Sequence, residues 1–253
     1  MTLHMEIRGR GRPLVLLHGW GFDSGIWTDL AERLARSRRV HLVDLPGHGY
    51  SRHRALGSLN ALVDEVARTI PDDALVAGWS MGGLVAQRLA RRHPGKVRAL
   101  AVMAGTPCFV ARKGWPHGMA PSTLEGFADD LRRDAPATLS TFVRLNALGD
   151  GKTREAIRAL ARGLNERGGP SASALGAGID LLRTTDLRRD AAHLAVRALV
   201  IHGVRDRIVP IEAGRWLARS MPNAELVELP TAAHLPFVSD RDAVAHALEG
   251  LDG

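Results

Sequence analysis

Short runs of apolar residues alternate along this chain with segments in which apolar residues recur every three or four positions. The first pattern predicts buried strands and the second predicts amphipathic helices. We expect strands at 13–17, 40–44, 74–77, 97–104, 198–203 and 225–229. We expect helices at 26–35, at 58–70, from residue 84, at 212–219 and at 241–251. This order predicts an α/β fold with a mostly parallel sheet that helices cover on both faces.

The alternation stops at about residue 106. Proline and glycine interrupt the chain through Gly118, and helical patterns without strands then continue to about residue 186. We interpret residues 107–186 as a helical lid inserted into a core formed by 1–106 and 187–253.

The stretch from Ala74 to Leu84 joins a predicted strand to a predicted helix through Gly78-Trp79-Ser80-Met81-Gly82. Gly-x-Ser-x-Gly between a strand and a helix is typical of a nucleophile elbow. The turn strains the serine backbone, and the glycines let strand and helix pass closely. We therefore predict that Ser80 is a nucleophile. The alternative is a glycine-rich turn that only packs closely.

A serine hydroxyl needs a general base, and the base needs a carboxylate that orients it. Asp206 and His234 each follow a predicted strand closely, so we expect both at the sheet edge where Ser80 emerges. We predict that His234 is the base and Asp206 the acid, with a turn-capping aspartate as the alternative. Three other histidines lie before a strand, within a strand and in a helix: His193, His202 and His246.

The loop His18-Gly19-Trp20-Gly21 follows the first predicted strand. In serine hydrolases this loop gives one backbone N–H to an oxyanion hole, and the residue after the nucleophile gives the other. Trp20 and Met81 are the two candidates, although Trp20 could also be a packed loop aromatic. We expect a structural role for His18 and for Asp44 and His48 in the turn after the second strand.

Composition limits the other functions. The 253 residues are 45% hydrophobic, which fits one large domain or one domain with an insertion. The net charge of +7 could attract acidic partners, but aromatic residues are only 4% and no nucleic-acid motif is present, so we do not expect nucleic-acid binding. We expect no membrane span, no signal peptide and no internal disulfide, hence a soluble, cytoplasmic protein. The proposed chemistry needs no metal or organic cofactor. We expect a monomer, because the sequence shows no obvious self-complementary apolar surface. The single cysteine, Cys108, lacks an elbow, and we expect it to be buried.

Three motifs carry a family resemblance: Leu16-Leu17-His18-Gly19-Trp20-Gly21, the segment 42–49, and Gly78-Trp79-Ser80-Met81-Gly82-Gly83-Leu84-Val85-Ala86. With them the chain resembles the α/β-hydrolase superfamily. Pro107-Cys108-Phe109, Trp115-Pro116, 185–188 and Ala232-Ala233-His234 make it similar, more narrowly, to the pimeloyl-[acyl-carrier protein] methyl ester esterases of biotin synthesis. The likeness covers nearly the whole chain and is weakest at about 120–180.

The resemblance implies a carboxylesterase that hydrolyses the methyl ester of the pimeloyl-carrier protein and gives the pimeloyl-carrier protein and methanol. It implies a substrate site formed by Trp20, Ser80, Met81, Phe142, Val143, Arg144, Leu145, Asn146 and His234. It also implies that arginines of the lid receive the acidic acyl-carrier protein. Arg154 and Arg158 are four residues apart, hence on one helix face, and Arg132, Arg133 and Arg144 could assist them.

Three alternatives stay open at this point. The arginines could form a solvated helix face. The enzyme could be a general short-chain carboxylesterase of the same fold, since a fold does not fix a substrate. A more remote alternative is a non-catalytic binding protein on a hydrolase framework.

Overall fold

The computed structural model describes residues 2–146, 162–164 and 166–251. The predicted carrier-contact residues Arg154 and Arg158 lie outside them. The described residues contain a seven-stranded sheet with the order β1-β3-β2-β4-β5-β6-β7. Its strands are β1 Met5–Arg8, β2 Pro13–Leu17, β3 Arg39–Val43, β4 Ala74–Trp79, β5 Val97–Met103, β6 Arg197–Gly203 and β7 Ala224–Leu229. Strand β1 pairs antiparallel with β3, and all the other neighbours pair parallel, so the prediction of a mostly parallel sheet is confirmed.

Helices lie between the strands and after the last one. They are α1 Thr28–Leu34, α2 Leu59–Thr69, α3 Met81–Arg92, α4 Pro121–Arg133, α5 Ala135–Leu145, α6 Ala172–Thr184, α7 Arg188–Ala191, α8 Ile211–Ser220, α9 Pro236–Ser239 and α10 Arg241–Gly250. Helix α2 begins after Ser58, whose side chain accepts a hydrogen bond from the Ala61 N–H at 3.4 Å. None of the described helices is long and apolar enough to span a membrane.

Successive strand residues point to opposite faces of the sheet and build two apolar clusters. In β2, Val15 and Leu17 pack with residues of α2, α3 and α8, whereas Leu14 and Leu16 pack with residues of α1, α9 and α10. Because both faces are covered, strands β2 and β4 are apolar along their whole length. This explains why continuous apolar runs identified them in the sequence.

Helices α4, α5 and α6 lie between β5 and β6 in the chain. Leu124 and Leu131 of α4, with Leu175 and Ile179 of α6, pack into the same cluster as α2 and α3. Val143 of α5 packs into the other cluster, so the inserted segment contributes to the apolar clusters on both faces of the sheet. Its division from the core at 107 and 186 stays a prediction.

Candidate active site

The turn between β4 and α3 holds Ser80 at φ 54° and ψ −116°, a conformation that residues with a side chain rarely adopt. The flanking glycines explain how the chain tolerates it. A Cβ on Gly78 would lie 2.1 Å from the Gly82 carbonyl oxygen, and one on Gly82 would lie 2.2 Å from the Leu17 carbonyl oxygen. Only residues without a side chain let α3 cross β4 and β2 this closely. The Gly-x-Ser-x-Gly spacing therefore has a steric basis in this fold.

His234 lies within hydrogen-bonding distance of both Ser80 and Asp206. His234 Nε2 is 3.1 Å from Ser80 Oγ, and His234 Nδ1 is 2.7 Å from Asp206 Oδ2. All three residues are buried. Because a carboxylate only accepts hydrogen bonds, the imidazole proton lies on Nδ1, which donates to Asp206. The lone pair of Nε2 then faces the Ser80 hydroxyl. This arrangement suits proton removal from Ser80.

Asp206 sits in a turn that supplies further donors. Its Oδ1 accepts hydrogen bonds from the backbone N–H groups of Ile208 and Val209 at 2.8 and 2.9 Å. Burial would raise the pKa of Asp206, but attraction to His234 and contacts with the imidazoles of His202 and His234 outweigh it and hold this pKa well below its usual range. The carboxylate is therefore ionised at neutral pH.

The loop after β2 is fixed by His18, which is fully buried. His18 Nε2 accepts a hydrogen bond from the Leu45 N–H at 2.9 Å, and its Nδ1–H donates to the Gly19 carbonyl at 2.8 Å. A Cβ on Gly19 would lie 3.3 Å from the Ser80 Cβ, so this loop passes directly beside the serine. The loop of Trp20 therefore lies beside the serine, and the role of the Trp20 N–H in an oxyanion hole stays a prediction. Met81 begins α3, where N–H groups favour negative charge.

The residues Asp44 and His48 stabilise the turn after β3. Asp44 accepts hydrogen bonds from the Ser24 and Tyr50 N–H groups at 2.8 and 2.9 Å, and His48 Nδ1 donates to the Pro46 carbonyl at 2.9 Å. These contacts occupy both side chains with backbone groups. Neither residue is among those that the structure places around the Ser80 hydroxyl.

An apolar cavity opens beside Ser80. Its lining is almost entirely aliphatic and aromatic and comprises Trp20, Ser80, Phe109, Met119, Thr123, Leu124, Phe127, Phe142, Leu145, Ile179, Leu182 and Ile208. Of the predicted substrate residues, Trp20, Ser80, Phe142 and Leu145 belong to this lining. The sequence prediction missed the contributions of α4 and α6, although the helical apolar spacing in both segments was the available signal.

The other predicted substrate residues lie off the cavity lining. Helix α5 turns about 100° per residue, so Phe142 and Leu145 share one face while their neighbours point elsewhere. Val143 packs in the sheet core, Asn146 donates to the Phe142 carbonyl at 2.7 Å, and Arg144 donates to Thr141 Oγ1 at 3.1 Å. Met81 is fully buried in the core, which leaves only its backbone as a candidate contact.

The arginines predicted to assist carrier binding are exposed on α4 and α5. Arg132 and Arg133 pair with Asp129 and Asp130 on the same helix. Such exposed pairs are weak and leave the guanidinium groups available to a partner. No group of metal-ligating side chains occurs among the residues that the structure describes. Cys108 is buried, and its Sγ–H donates to the Val110 carbonyl at 3.4 Å, as a structural cysteine would.

Comparison with known proteins identifies the fold and the family. The model of the α/β hydrolase fold matches residues 12–240. A pimeloyl-[acyl-carrier protein] methyl ester esterase of Nitrosomonas europaea is 41% identical over 94% of this chain and 94% of its own. The protein of the same name from Chromobacterium violaceum is 42% identical over 98% of this chain and 97% of its own.

Solved structures show the same fold at lower identity. An esterase from Exiguobacterium antarcticum has a TM-score of 0.90 at 23% identity, with 99% of this chain and 96% of that chain covered. An enol-lactonase from Burkholderia xenovorans has a TM-score of 0.84 at 23% identity, with 98% and 95% covered. The match to the fold model and the identity to full-length relatives lead to one conclusion: the chain belongs to the α/β-hydrolase family.

Proposed function

We propose that this protein is a serine carboxylesterase that hydrolyses the methyl ester of pimeloyl-[acyl-carrier protein], giving pimeloyl-[acyl-carrier protein] and methanol in biotin synthesis. The observation that carries the proposal is the contact of Ser80 Oγ with His234 Nε2 at 3.1 Å, at the edge of an apolar cavity. The substrate is taken from the relatives, which are 41% and 42% identical over nearly the full length.

In the proposed reaction Ser80 Oγ attacks the ester carbonyl while His234 Nε2 takes its proton. Asp206 stabilises the imidazolium that forms. The backbone N–H groups of Trp20 and Met81 hold the oxyanion, which contributes several kcal/mol of transition-state stabilisation. The tetrahedral intermediate collapses, and methanol leaves with the proton from His234. Water, activated by the same imidazole, then hydrolyses the acyl-enzyme and releases the free carboxylate and Ser80.

The cavity supports an acyl substrate of this kind. Its volume is about 100 Å³, and its lining of apolar side chains suits the methylene chain of a narrow, unbranched acyl group. The carboxylate product loses its hydration if it stays against this lining, so release of the acid is favoured. Leu145 is both a lining residue and 38% exposed, so the cavity meets the surface at the end of α5.

The partner in this proposal is the acyl-carrier protein that bears the ester. Exposed Arg132, Arg133 and Arg144 lie on α4 and α5, the helices that supply part of the cavity lining. In the complex these arginines would bind acidic groups of the carrier beside the cavity, and Arg132 and Arg133 would exchange their partners Asp129 and Asp130 for those groups. Arg154 and Arg158 stay candidates outside the described residues, and the cytoplasmic location and monomeric state stay predictions.

The decisive test uses purified pimeloyl-[acyl-carrier protein] methyl ester with the wild type and with Ser80→Ala. We expect the wild type to release methanol and the variant to lose turnover to background. Expression in a biotin auxotroph that lacks its methyl esterase gives the cellular test. Turnover of small p-nitrophenyl esters without turnover of the carrier ester, and without rescue of the auxotroph, would instead establish a general short-chain carboxylesterase.

A further inference from the structure

His202, the penultimate residue of β6, is a fully buried imidazole that the proposed mechanism does not use. Its Nε2 lies 2.9 Å from the Val209 carbonyl oxygen and 3.4 Å from Asp206 Oδ2. Its Nδ1 has no hydrogen-bond partner among the described residues. The ring proton therefore belongs on Nε2, where it faces two oxygens.

The contacts of His202 close the turn that carries Asp206. The Asp206 carboxylate accepts hydrogen bonds from the N–H groups of Ile208 and Val209. The Nε2–H of His202 donates to the carbonyl of Val209, at the end of the same turn. The imidazole thus ties the end of β6 to the far side of the turn. Both Asp206 Oδ2 and the Val209 carbonyl lie at its Nε2 edge.

Helix α8 holds the ring in this position from the other side. A Cβ on Gly214 would lie 2.5 Å from His202 Nδ1 and 3.0 Å from its Cγ, so the glycine leaves just enough room for the imidazole. Two charged groups lie on the adjoining elements. Glu228 of β7 is the strand-register neighbour of His202, and Arg215 of α8 donates two hydrogen bonds of 2.7 Å to the Glu228 carboxylate. The charges of Arg215 and Glu228 compensate each other. The carboxylate that lies at the Nε2 edge of the His202 ring is that of Asp206.

We propose that His202 is a positioning residue that holds the Asp206 carboxylate toward His234. Its Nε2–H stabilises the negative charge on Oδ2, and its bond to Val209 fixes the turn from which the carboxylate projects. Asp206 Oδ2 lies between the imidazoles of His234 and His202. In the proposal His234 transfers the serine proton, and His202 holds the carboxylate in place. This inference concerns the same site as the proposed function. It depends on that function only in the experiments that measure ester turnover.

Removal of this donor has a predictable electrostatic consequence. Without the Nε2–H of His202, the Asp206 carboxylate is less compensated and attracts the positive form of His234 more strongly. A larger share of the enzyme then carries a protonated base at mildly acidic pH, where it cannot accept the serine proton. Looser placement of the carboxylate lowers the turnover number in addition.

The test compares His202→Phe, which keeps a planar ring without a donor, with His202→Gln, whose amide N–H reaches about as far as Nε2. Gly214→Ala displaces the ring without changing its chemistry, and it serves also if His202→Phe does not fold. Gly126→Ala in α4 is the matched control, because a Cβ there meets nothing within 4 Å. The substrate is a small p-nitrophenyl ester, and kcat, KM and the pH profile of kcat/KM are measured.

We expect His202→Phe and Gly214→Ala to lower kcat by about tenfold or more with KM unchanged. The low-pH midpoint of the kcat/KM profile should move upward by about 0.5 or more. His202→Gln should recover most of kcat and the original midpoint, and Gly126→Ala should match the wild type. A purely structural role would lower Tm in His202→Phe while leaving the midpoint in place, and that result, or an equal loss in His202→Gln and His202→Phe, would overturn the inference.

A second readout separates this inference from the proposed function. We expect the proton on His234 Nδ1, which binds Asp206 at 2.7 Å, to give a low-field resonance in proton spectra that is absent when His234 is substituted. Its position reports the hydrogen bond to Asp206 without any substrate. We expect it to shift in His202→Phe and Gly214→Ala and to stay in place in His202→Gln. If the wild type fails to hydrolyse esters, the proposed function is wrong, but the resonance still tests whether His202 positions Asp206. A resonance that does not move in either His202→Phe or Gly214→Ala would reject the inference.

Discussion

Trp79 Nε1–H donates a hydrogen bond of 2.7 Å to the backbone carbonyl of His234. The residue before the proposed nucleophile therefore holds the loop that carries the proposed base, 155 positions away in the chain. The indole ring also packs at 5.5 Å from the His234 imidazole. Because Trp79 lies at the end of β4, this contact ties the loop of His234 to the end of that strand.

Replacement of Trp79 by Phe should impair both catalysis and stability. The His234 carbonyl would lose its donor in a dry environment, at a cost of about 1–3 kcal/mol in the free energy of unfolding. The loop would also move, and we expect kcat to fall by about tenfold. Trp27→Phe is the matched control, because Trp27 is equally buried in the same aromatic cluster and its Nε1 has no partner in the described part of the chain. Equal kcat values for the two variants would contradict this role of Trp79.

The sequence predicted the elbow and the three polar residues around it for a steric reason. A Cβ on Gly78 or Gly82 would lie 2.1 or 2.2 Å from a backbone carbonyl oxygen, so the spacing of these glycines around Ser80 follows directly from the fold. The positions of Asp206 and His234 followed from the rule that parallel strands end at one edge. The Trp79 contact could not be predicted, because a buried indole N–H finds its acceptor only in the tertiary structure.

The strained backbone of Ser80 predicts a trade of stability against activity. Glycine adopts φ 54° and ψ −116° without the clash that a Cβ introduces. We expect Ser80→Gly to be more stable than Ser80→Ala by about 1 kcal/mol in denaturant unfolding, while both lose esterase activity. If Ser80→Gly is less stable than Ser80→Ala, the turn stores no strain.

An ion pair joins Arg167, in the segment before α6, to Asp23 in the loop after β2. Arg167 Nε and Nη2 donate to Asp23 at 2.8 and 2.7 Å, and Asp23 is 1% exposed. Arg167→Met would leave a buried carboxylate without its cation, so we expect a loss of about 2–3 kcal/mol in the free energy of unfolding. Arg183→Met, which removes an exposed pair with Asp180, should cost less than about 0.5 kcal/mol. Similar losses in the two variants would show that burial of Asp23 does not decide the cost.

Other parts of the structure left weak traces in the sequence. Strand β1 has only four residues, its burial is partial, and it is held by antiparallel pairing of Met5 with Val43 at the sheet edge. A short edge strand has no continuous apolar run, so the hydrophobic pattern did not predict it. The cavity lining draws on residues about 190 positions apart, from Trp20 to Ile208, and such a set is assembled only by tertiary packing.

The cavity wall formed by Trp20 depends on a glycine of α6. Trp20 Nε1 donates to the Leu175 carbonyl at 2.9 Å, and a Cβ on Gly178 would lie 2.5 Å from Trp20 Cδ1. Gly178→Ala should displace the indole into the cavity and lower kcat/KM for esters of longer acyl chains by about tenfold, with a smaller effect on acetyl esters. Gly176→Ala on the same helix meets nothing within 4 Å and should leave chain-length preference unchanged. A uniform loss for all esters in Gly178→Ala would contradict this assignment.

The buried histidines behind the site predict acid sensitivity. His48 donates from Nδ1 to Pro46, and its Nε2 has no partner among the described residues. Burial, together with the nearby His18, lowers the pKa of His48 from 6.5 to about 3. Burial also lowers the pKa of His18. Both rings are neutral in the native protein at neutral pH.

Between pH 6.5 and about 3 the unfolded chain binds a proton at His48 that the native chain does not bind. The free energy of unfolding should therefore fall as the pH falls below 6.5, by up to about 1.4 kcal/mol per pH unit from this residue, with a contribution of the same sign from His18. His48→Asn keeps a donor for the Pro46 carbonyl but cannot titrate, so its denaturant stability should fall less steeply between pH 6.5 and 4.5. His53→Asn, at an exposed histidine, should keep the wild-type slope. A wild-type slope in His48→Asn would show that acid destabilisation arises elsewhere.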